Sequence, residues 1–399
     1  METKGISKLD LKRRNRKQIL LAIRKAGMLA RVDIAAQLSL TRAAVTIITN
    51  QMITQNILED MNGPLPEDQN APKKKGRKKT MIRINPTFKY VLGAAINEND
   101  ISVGLANLAN EPIDHKYQEI NEDTAPDEII SFIVSSCREL MKKHSLNTKQ
   151  MLGLGIGVIP ARWEQLRGEL KGPIITFEKL VYLLEMELSI PVLADSAINL
   201  YALANIDYTN PESANQLMLY SGDAYHSVAV IGQELLGGFL ADSDSVSHMI
   251  VKVGGTPAEG YPDGSVYAEI TRPAMLRKAS ALKGRKMTAD DINTAYAEGD
   301  QQIVELVNQY LDQFCFLMYN STTGHHVRRV VLHGFKFSDQ IYQLLCDKLA
   351  VLGNNRPVVL TSSRIDGENS FLAGSALTIE RQFYEMGGML PGEANNLMN

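Results

Sequence analysis

The first sixty residues have hydrophobic positions spaced for three short helices. Over residues 9–26, Ile19, Leu20 and Ile23 recur at helical intervals and predict one buried face. The same spacing leaves a set of basic side chains expected to be exposed around that face: Arg13, Arg14, Arg16, Lys17 and Arg24. A second, shorter helix fits residues 32–38, and residues 39–40 make a turn before a third.

The third helix has two contrasting faces. Thr41 is placed as its N-cap, because its hydroxyl can accept from the first free backbone amides. Val45, Ile48 and Met52 share one face. The opposite face carries small or polar side chains, which suit a helix lying against base edges in a major groove: Arg42, Ala43, Thr46, Thr49 and Asn50.

A basic segment between two β-like stretches follows these helices. Residues 57–59 and 80–84 are typical of short strands, and the polar connection between them contains a basic run. The run is Lys73, Lys74, Lys75, Gly76, Arg77, Lys78 and Lys79. Such a hairpin is a wing whose lysines neutralise phosphates, with Arg77 placed to enter the minor groove. A solvated loop on a small helical subdomain is the alternative.

Charge favours the DNA-binding interpretation. The 399 residues have a formal net charge of only −3, but the first 90 hold 19 basic and 7 acidic side chains, and the rest hold 23 and 38. A basic segment with this order of helices and hairpin is typical of a winged helix-turn-helix. We therefore predict double-stranded DNA as the partner of residues 1–86. The predicted contacts are Arg31, Thr41, Arg42, Ala43, Thr46, Asn50, Lys74, Lys75, Gly76, Arg77 and Lys78.

From residue 90 onward, strand and helix patterns alternate. Predicted strands are 91–96, 101–106, 151–158, 191–194, 216–220, 228–230, 327–332 and 357–361. Predicted helices are 129–143, 177–187, one that follows Asp195, 290–298, 301–319 and 370–384. A strand hairpin followed by alternating helix and strand occurs twice, so residues 87–399 are expected to form a two-lobed α/β domain with ligand space between the lobes.

Several classes of protein are excluded by composition. No apolar run approaches the ~20 residues that cross a bilayer, and the basic, polar start is unlike a secretory signal, so a cytoplasmic location without a membrane partner is expected. Cys137, Cys315 and Cys346 are widely separated and lack metal-ligand spacing. The sequence therefore predicts no metal and no other cofactor.

The chain resembles the ROK family of bacterial repressors and sugar kinases, in its repressor form, from about residue 15 to residue 376. The resemblance rests on Arg31-Val32-Asp33-Ile34-Ala35, on Leu40-Thr41-Arg42-Ala43-Ala44-Val45-Thr46, on Gly76-Arg77, on Ile84-Asn85-Pro86, on Gly155-Ile156-Gly157-Val158-Ile159-Pro160, on Asp195, on residues 237–248 and on Gly374. Lys78 stands where the family often has proline. The resemblance implies a winged helix-turn-helix followed by a two-lobed, actin-like ATPase (ROK) domain that binds sugar and dimerises.

Departures from the family pattern argue against phosphoryl transfer. The turn that corresponds to the first phosphate loop contains Glu98, whose charge would repel ATP. The turn that corresponds to the second contains Asp223 and the bulky Tyr225 in place of glycine-rich backbone. We therefore predict no catalytic residues. A ROK sugar kinase with an appended DNA-binding domain, and a dimeric DNA binder that needs no ligand, remain as alternatives.

Two residues of the family's sugar site are present, Asp195 and His248, while the asparagine and glutamate that accompany them are replaced. Both are ligand-binding candidates for a sugar or a related effector. The structural alternative is a helix N-cap for Asp195 and an interior histidine for His248. The family's zinc site combines that histidine with three downstream cysteines, and residues 254–269 contain none. The loop of residues 256–265 therefore needs other support or is mobile.

Taken together, these features predict a homodimeric transcriptional repressor that senses a carbohydrate, with a tetramer as the alternative assembly. An inverted-repeat operator is expected, because paired recognition helices lie about one DNA turn apart. His226, His325, His326 and His333 receive no role.

Overall fold

The structure is a computed structural model that describes residues 8–61, 80–121, 123–163, 177–236, 246–353 and 355–389. The N-terminal unit consists of α1 (Lys8–Ala26), β1 (Leu29–Ala30), α2 (Arg31–Gln37), α3 (Arg42–Thr54), β2 (Leu58–Met61) and β3 (Met81–Ile84). Its strands form an antiparallel sheet in the order β1-β3-β2, with Met61 paired to Met81. Three helices and a strand hairpin are thus present in the predicted order.

The buried face of this unit agrees with the hydrophobic spacing, but three polar side chains do not lie where it placed them. Ile19, Leu20 and Ile23 are fully buried, and Val45, Ile48 and Met52 join the same cluster. The expectation that Arg16 and Arg24 are exposed is wrong: Arg16 is 0% exposed and the Arg24 side chain 18%. Thr49 is also buried, because its hydroxyl accepts from Arg31 Nε at 3.1 Å.

A five-stranded sheet forms the first lobe, in the order β6-β5-β4-β7-β8. Its elements are β4 (Tyr90–Ile96), β5 (Asp100–Asn107), β6 (Pro112–Glu119), α4 (Pro126–Lys143), β7 (Met151–Val158), α5 (Phe177–Leu188) and β8 (Val192–Ser196). Strands β4, β5 and β6 are antiparallel, whereas β7 and β8 run parallel to β4. Strand β6 was not predicted, because it is solvated on both faces and lacks an apolar alternation.

The second lobe repeats this arrangement in the strand order β11-β10-β9-β12-β13. Its strands are β9 (Gln216–Ser221), β10 (Tyr225–Ile231), β11 (Glu234–Leu235), β12 (Arg329–His333) and β13 (Val359–Ser362). Its helices are α7 (Val266–Glu269), α8 (Arg272–Lys283), α9 (Ala289–Ala297), α10 (Gln301–Gly324) and α11 (Asp339–Leu352). Helices α7, α8 and α11 are additions to the prediction. The repeated hairpin and parallel strands confirm the two-lobed α/β architecture.

Two helices lie between the lobes: α6 (Ala197–Ala204) and α12 (Leu372–Thr378), which continues as a π-helical segment, Ile379–Tyr384. Both contribute to a cluster that includes residues of the two sheets, such as Ala106 and Met218. The lobes therefore share a core at α6 and α12. A cleft lies between them, where the turn that joins β4 to β5 faces the turn that joins β9 to β10.

The π-helical segment also ties the lobes to the N-terminal unit. Ile379, Phe383 and Tyr384 belong to the same cluster as α1 and α3. Arg16 of α1 donates through Nε to Gly387 O at 2.8 Å. The end of the chain thus helps to bury the unit at its beginning, although a boundary near residue 86 stays a prediction. None of the described helices is long and apolar enough to cross a membrane.

Candidate DNA-binding surface and ligand cleft

The outer face of α3 is not covered by any element among the residues that the structure describes. Thr41 is its N-cap and accepts from the Ala44 amide at 3.1 Å, as the sequence predicts. Arg42, Ala43, Thr46 and Asn50 are exposed on the predicted face. The fully buried Val45 and Met52 hold the opposite face against α1 and α2, which gives the exposed residues a fixed support.

Arg31 supports this surface from its edge. Its guanidinium donates to Thr49 Oγ1 at 3.1 Å, Asn50 Oδ1 at 3.3 Å and Asp60 Oδ1 at 3.1 Å. The side chain therefore connects α3 to strand β2 of the hairpin and orients Asn50. The predicted tip residues Lys74, Lys75, Gly76, Arg77 and Lys78 lie outside the described residues.

Asp195 lies near the end of β8, at the entrance to α6. The N-cap of α6 is Ser196, so the alternative that Asp195 is the helix N-cap is wrong. The Asp195 carboxylate nevertheless accepts from the Ser196 amide at 2.6 Å and from Asn199 at 3.2 Å. Burial raises the pKa of this carboxyl, while Asn199 and the Ser196 amide oppose the shift. Ser196 Oγ is buried and has no hydrogen-bond partner in the described structure.

His248 is exposed, so the interior-histidine alternative is wrong. Its ring lies 4.6 Å from that of Tyr261, which stacks on Tyr267 at 3.9 Å. No hydrogen bond or ring contact joins His248 to Asp195 within the described part of the chain.

The loop that lacks the family's cysteines is held by other interactions. The buried Glu269 carboxylate accepts from the Thr256 amide and pairs with Lys278. The amides of Val251 and Lys252 donate to Gly264 O at 2.9 and 3.1 Å. With the ring stack on His248, these contacts fix the loop ends through side-chain packing and a buried ion pair.

The two turns that correspond to phosphate loops meet at an ion pair network. Glu98, between β4 and β5, accepts from the Asp223 amide at 2.8 Å through Oε1. Arg272, the first residue of α8, donates to Glu98 Oε2 at 2.8 Å and to Asp223 Oδ1 at 2.6 Å. Burial and the nearby Asp223 raise the pKa of the Glu98 carboxyl, and Arg272 opposes them. Tyr225 is not in this contact; it is buried and hydrogen-bonded to Tyr310 at 3.0 Å.

An aromatic cluster forms the floor of the cleft beside this network. His333, at the end of β12, stacks on Tyr201 of α6 with ring centroids 3.9 Å apart. Its Nδ1 lies 3.0 Å from Ser363 Oγ, and its Nε2 lies 3.7 Å from Asp366. A cavity of about 390 Å³ opens here. Sequence reasoning gave no role to His333 or Arg272, because single residues in separate segments carry no spacing signal.

Comparisons with known proteins were made for sequence and for fold. No family model matches the chain. The xylose repressor of Lactiplantibacillus pentosus is 21% identical over 329 residues, which is 81% of this chain and 81% of the relative. The xylose repressor of Staphylococcus xylosus is 19% identical over 77% of this chain and 79% of its own.

Among solved structures, a ROK family transcriptional regulator, homologue of the E. coli MLC protein, superposes with a TM-score of 0.73 at 15% identity. The match covers 97% of this chain and 99% of the regulator. The ROK hexokinase of Thermus thermophilus gives a TM-score of 0.58 at 16% identity, over 72% of this chain and 98% of the hexokinase. The resemblance to the ROK family, in its repressor form, is therefore confirmed by sequence relatives and by a fold shared across nearly the whole chain.

Proposed function

We propose that this protein is a DNA-binding transcriptional repressor of carbohydrate-related genes. The observation that carries the proposal is the exposed outer face of α3, which presents Arg42, Thr46 and Asn50, is backed by a buried core and is followed by the strands of a basic hairpin. Relatives named xylose repressors match about four fifths of the chain, which includes a large part of the lobed domain. A protein that binds chromosomal operators works in the cytoplasm, and symmetric operators favour a homodimer.

The lobed domain is proposed to bind a sugar effector and not to phosphorylate it. A buried carboxylate, Asp195, and the unpartnered Ser196 hydroxyl lie together at the entrance to α6, where sugar hydroxyls would satisfy both. At the turns where a kinase holds phosphates, two carboxylates share one guanidinium. The phosphates of a nucleoside triphosphate entering there would lie against the Glu98 and Asp223 carboxylates and be repelled by them.

The DNA proposal is tested by mixing the purified chain with sheared DNA of its source genome and sequencing the bound fragments. The expected result is a small number of enriched fragments that share an inverted repeat. Even recovery of fragments across the genome would overturn the proposal, since it indicates binding without sequence preference.

The alternatives are separated by two further assays. A sugar kinase would release ADP from ATP with some hexose or pentose, and we expect no release above background across a sugar panel. A DNA binder that needs no ligand would show no thermal shift with any sugar of a panel that includes xylose. A sensor at 100 times the dissociation constant of its ligand would be stabilised by about 2.7 kcal/mol.

A further inference from the structure

The network of Glu98, Asp223 and Arg272 joins the two lobes directly. Glu98 belongs to the first lobe, whereas Asp223 and Arg272 belong to the second. The Glu98 side chain is 11% exposed and that of Arg272 22%, so the ion pair is largely shielded from water. Gly222 permits the close approach, because a Cβ at that position would lie 2.5 Å from Glu98 Oε1.

The Glu98 carboxylate is held as a bound anion would be. One oxygen accepts from a backbone amide of the second lobe, and the other accepts from a guanidinium of that lobe. Arg162 adds support from the first lobe by donating through Nε to Glu98 O at 2.9 Å. The chain thus supplies from its own first lobe the negative charge that the second lobe coordinates.

We propose that these three residues form an interlobe latch that holds the cleft closed at its hairpin end. The lobes share a core at α6 and α12, so motion between them must separate their facing turns. Separating the turns breaks the Glu98 contacts with Arg272 and with the Asp223 amide. The cavity of about 390 Å³ is lined by Glu98 and Arg272, so the latch forms part of its wall.

The charges predict an order among latch variants. Without Arg272, the Glu98 and Asp223 carboxylates face each other uncompensated and repel the lobes apart. Glu98→Gln keeps the acceptor for the Asp223 amide and loses only the charge, so it should open the cleft less. A variant with Glu98→Gln, Asp223→Asn and Arg272→Met carries no repulsion and should open less than Arg272→Met alone.

The latch is tested by double electron–electron resonance on the full chain without ligand. Spin labels are placed at the exposed positions Ser135→Cys on the first lobe and Gln309→Cys on the second, in a Cys346→Ser background. Cys137 and Cys315 are buried and stay unlabelled. The unsubstituted latch should give one narrow distance distribution, and Arg272→Met should shift and broaden it toward longer distances.

The matched control is Arg285→Met, which removes a pair with Asp291 that lies within the second lobe. It should leave the distance distribution unchanged. Circular dichroism checks that each variant folds, and Glu98→Gln provides the test if Arg272→Met does not. The latch would be overturned if folded Arg272→Met or folded Glu98→Gln gave the same spin-label distance distribution as the unsubstituted latch. A broad distance distribution in the protein with the unsubstituted latch would also overturn it. The readout contains no DNA or sugar, so its failure is distinct from failure of the proposed function.

Discussion

At the residue scale, residue type and spacing predicted the roles of side chains whose hydrogen-bond partners lie in the same helix. They did not predict the roles of side chains whose partners lie in distant segments. Thr41 could be predicted as an N-cap because its partner, Ala44, is three residues away. Arg16 and Arg24 look like exposed basic residues in the sequence, yet their partners Gly387 and Glu380 lie more than 350 residues later. Long-range pairing of single residues leaves no local pattern.

Arg42 and Thr46 are expected to contact bases. Arg42→Ala or Thr46→Ala should weaken binding to a duplex taken from an enriched genomic fragment by about 1–3 kcal/mol. Either substitution should weaken binding to a duplex of shuffled sequence much less. Lys74→Ala, in the basic run, should weaken both alike because phosphate contacts carry no sequence information. Fluorescence anisotropy on both duplexes measures the difference. Equal losses in all three variants would mean that α3 does not contact base edges.

His333 should make stability depend on pH. Burial lowers the pKa of this imidazole to about 4 from the ordinary 6.5, although Asp366 opposes the shift. Between those values the unfolded chain binds a proton that the folded chain refuses, so stability falls as pH falls from 6.5 toward 4. Between pH 7 and pH 5 the loss is on the order of 2 kcal/mol.

The free energy of unfolding, measured with denaturant at pH 7 and at pH 5, should fall less with acid in His333→Phe than in the parent. This substitution keeps an aromatic ring against Tyr201. His326→Asn, at an exposed histidine, is the control and should retain the parent's pH dependence. The account of His333 is contradicted if both variants lose stability with acid as the parent does.

At the element scale, most apolar elements were predictable and the solvated ones were not, although helix α11 was missed despite its buried Ile341, Leu345 and Leu349. The fully buried β7 and the amphipathic α4 were found from their patterns, with ends within a few residues. Strand β6 and helix α8 were missed, because the first is largely exposed and the second has few buried positions. The closing helix was predicted, but its change to a π-helical segment after Thr378 has no sequence signal.

The glycines of β7 and α12 allow backbone-to-backbone contact between these elements. A Cβ on Gly155 would overlap Gly374 O, and a Cβ on Gly374 would overlap Gly155 O. Gly155→Ala should therefore lower the free energy of unfolding by about 3 kcal/mol or more. Gly324→Ala, where a Cβ meets nothing within 4 Å, should leave stability unchanged or raise it by up to about 1 kcal/mol. Equal effects in chemical denaturation would contradict this packing.

Arg24 connects helix α1 to the lobes and to the end of the chain. Its guanidinium lies 3.3 Å from the Tyr208 ring centroid and 4.1 Å from that of Tyr384, and it pairs with Glu380 at 2.7 Å. Arg24→Ala should cost about 2–3 kcal/mol, since desolvated cation–π contacts and a shielded ion pair are both lost. Arg13→Ala, at an exposed arginine of the same helix, should cost less than about 0.5 kcal/mol. Similar losses of stability would mean that Arg24 does not join these parts.

At the scale of the whole molecule, the separation of charge follows the structural units. The basic segment coincides with the helices and hairpin of the N-terminal unit, and the acidic remainder forms the lobes. The two-lobed architecture followed from a pattern repeated along the chain. Neither the packing of the π-helical segment against α1 and α3 nor the Glu98–Arg272 pair across the cleft could be predicted, since both depend on how the units are placed in space.

The most direct test of the central claim is a reporter gene placed behind the most enriched genomic fragment in a host that lacks this protein. Expression should fall when the chain is supplied, and stay high with Arg42→Ala at equal protein level. Equal reporter expression with and without the chain would contradict the account of this protein as a repressor.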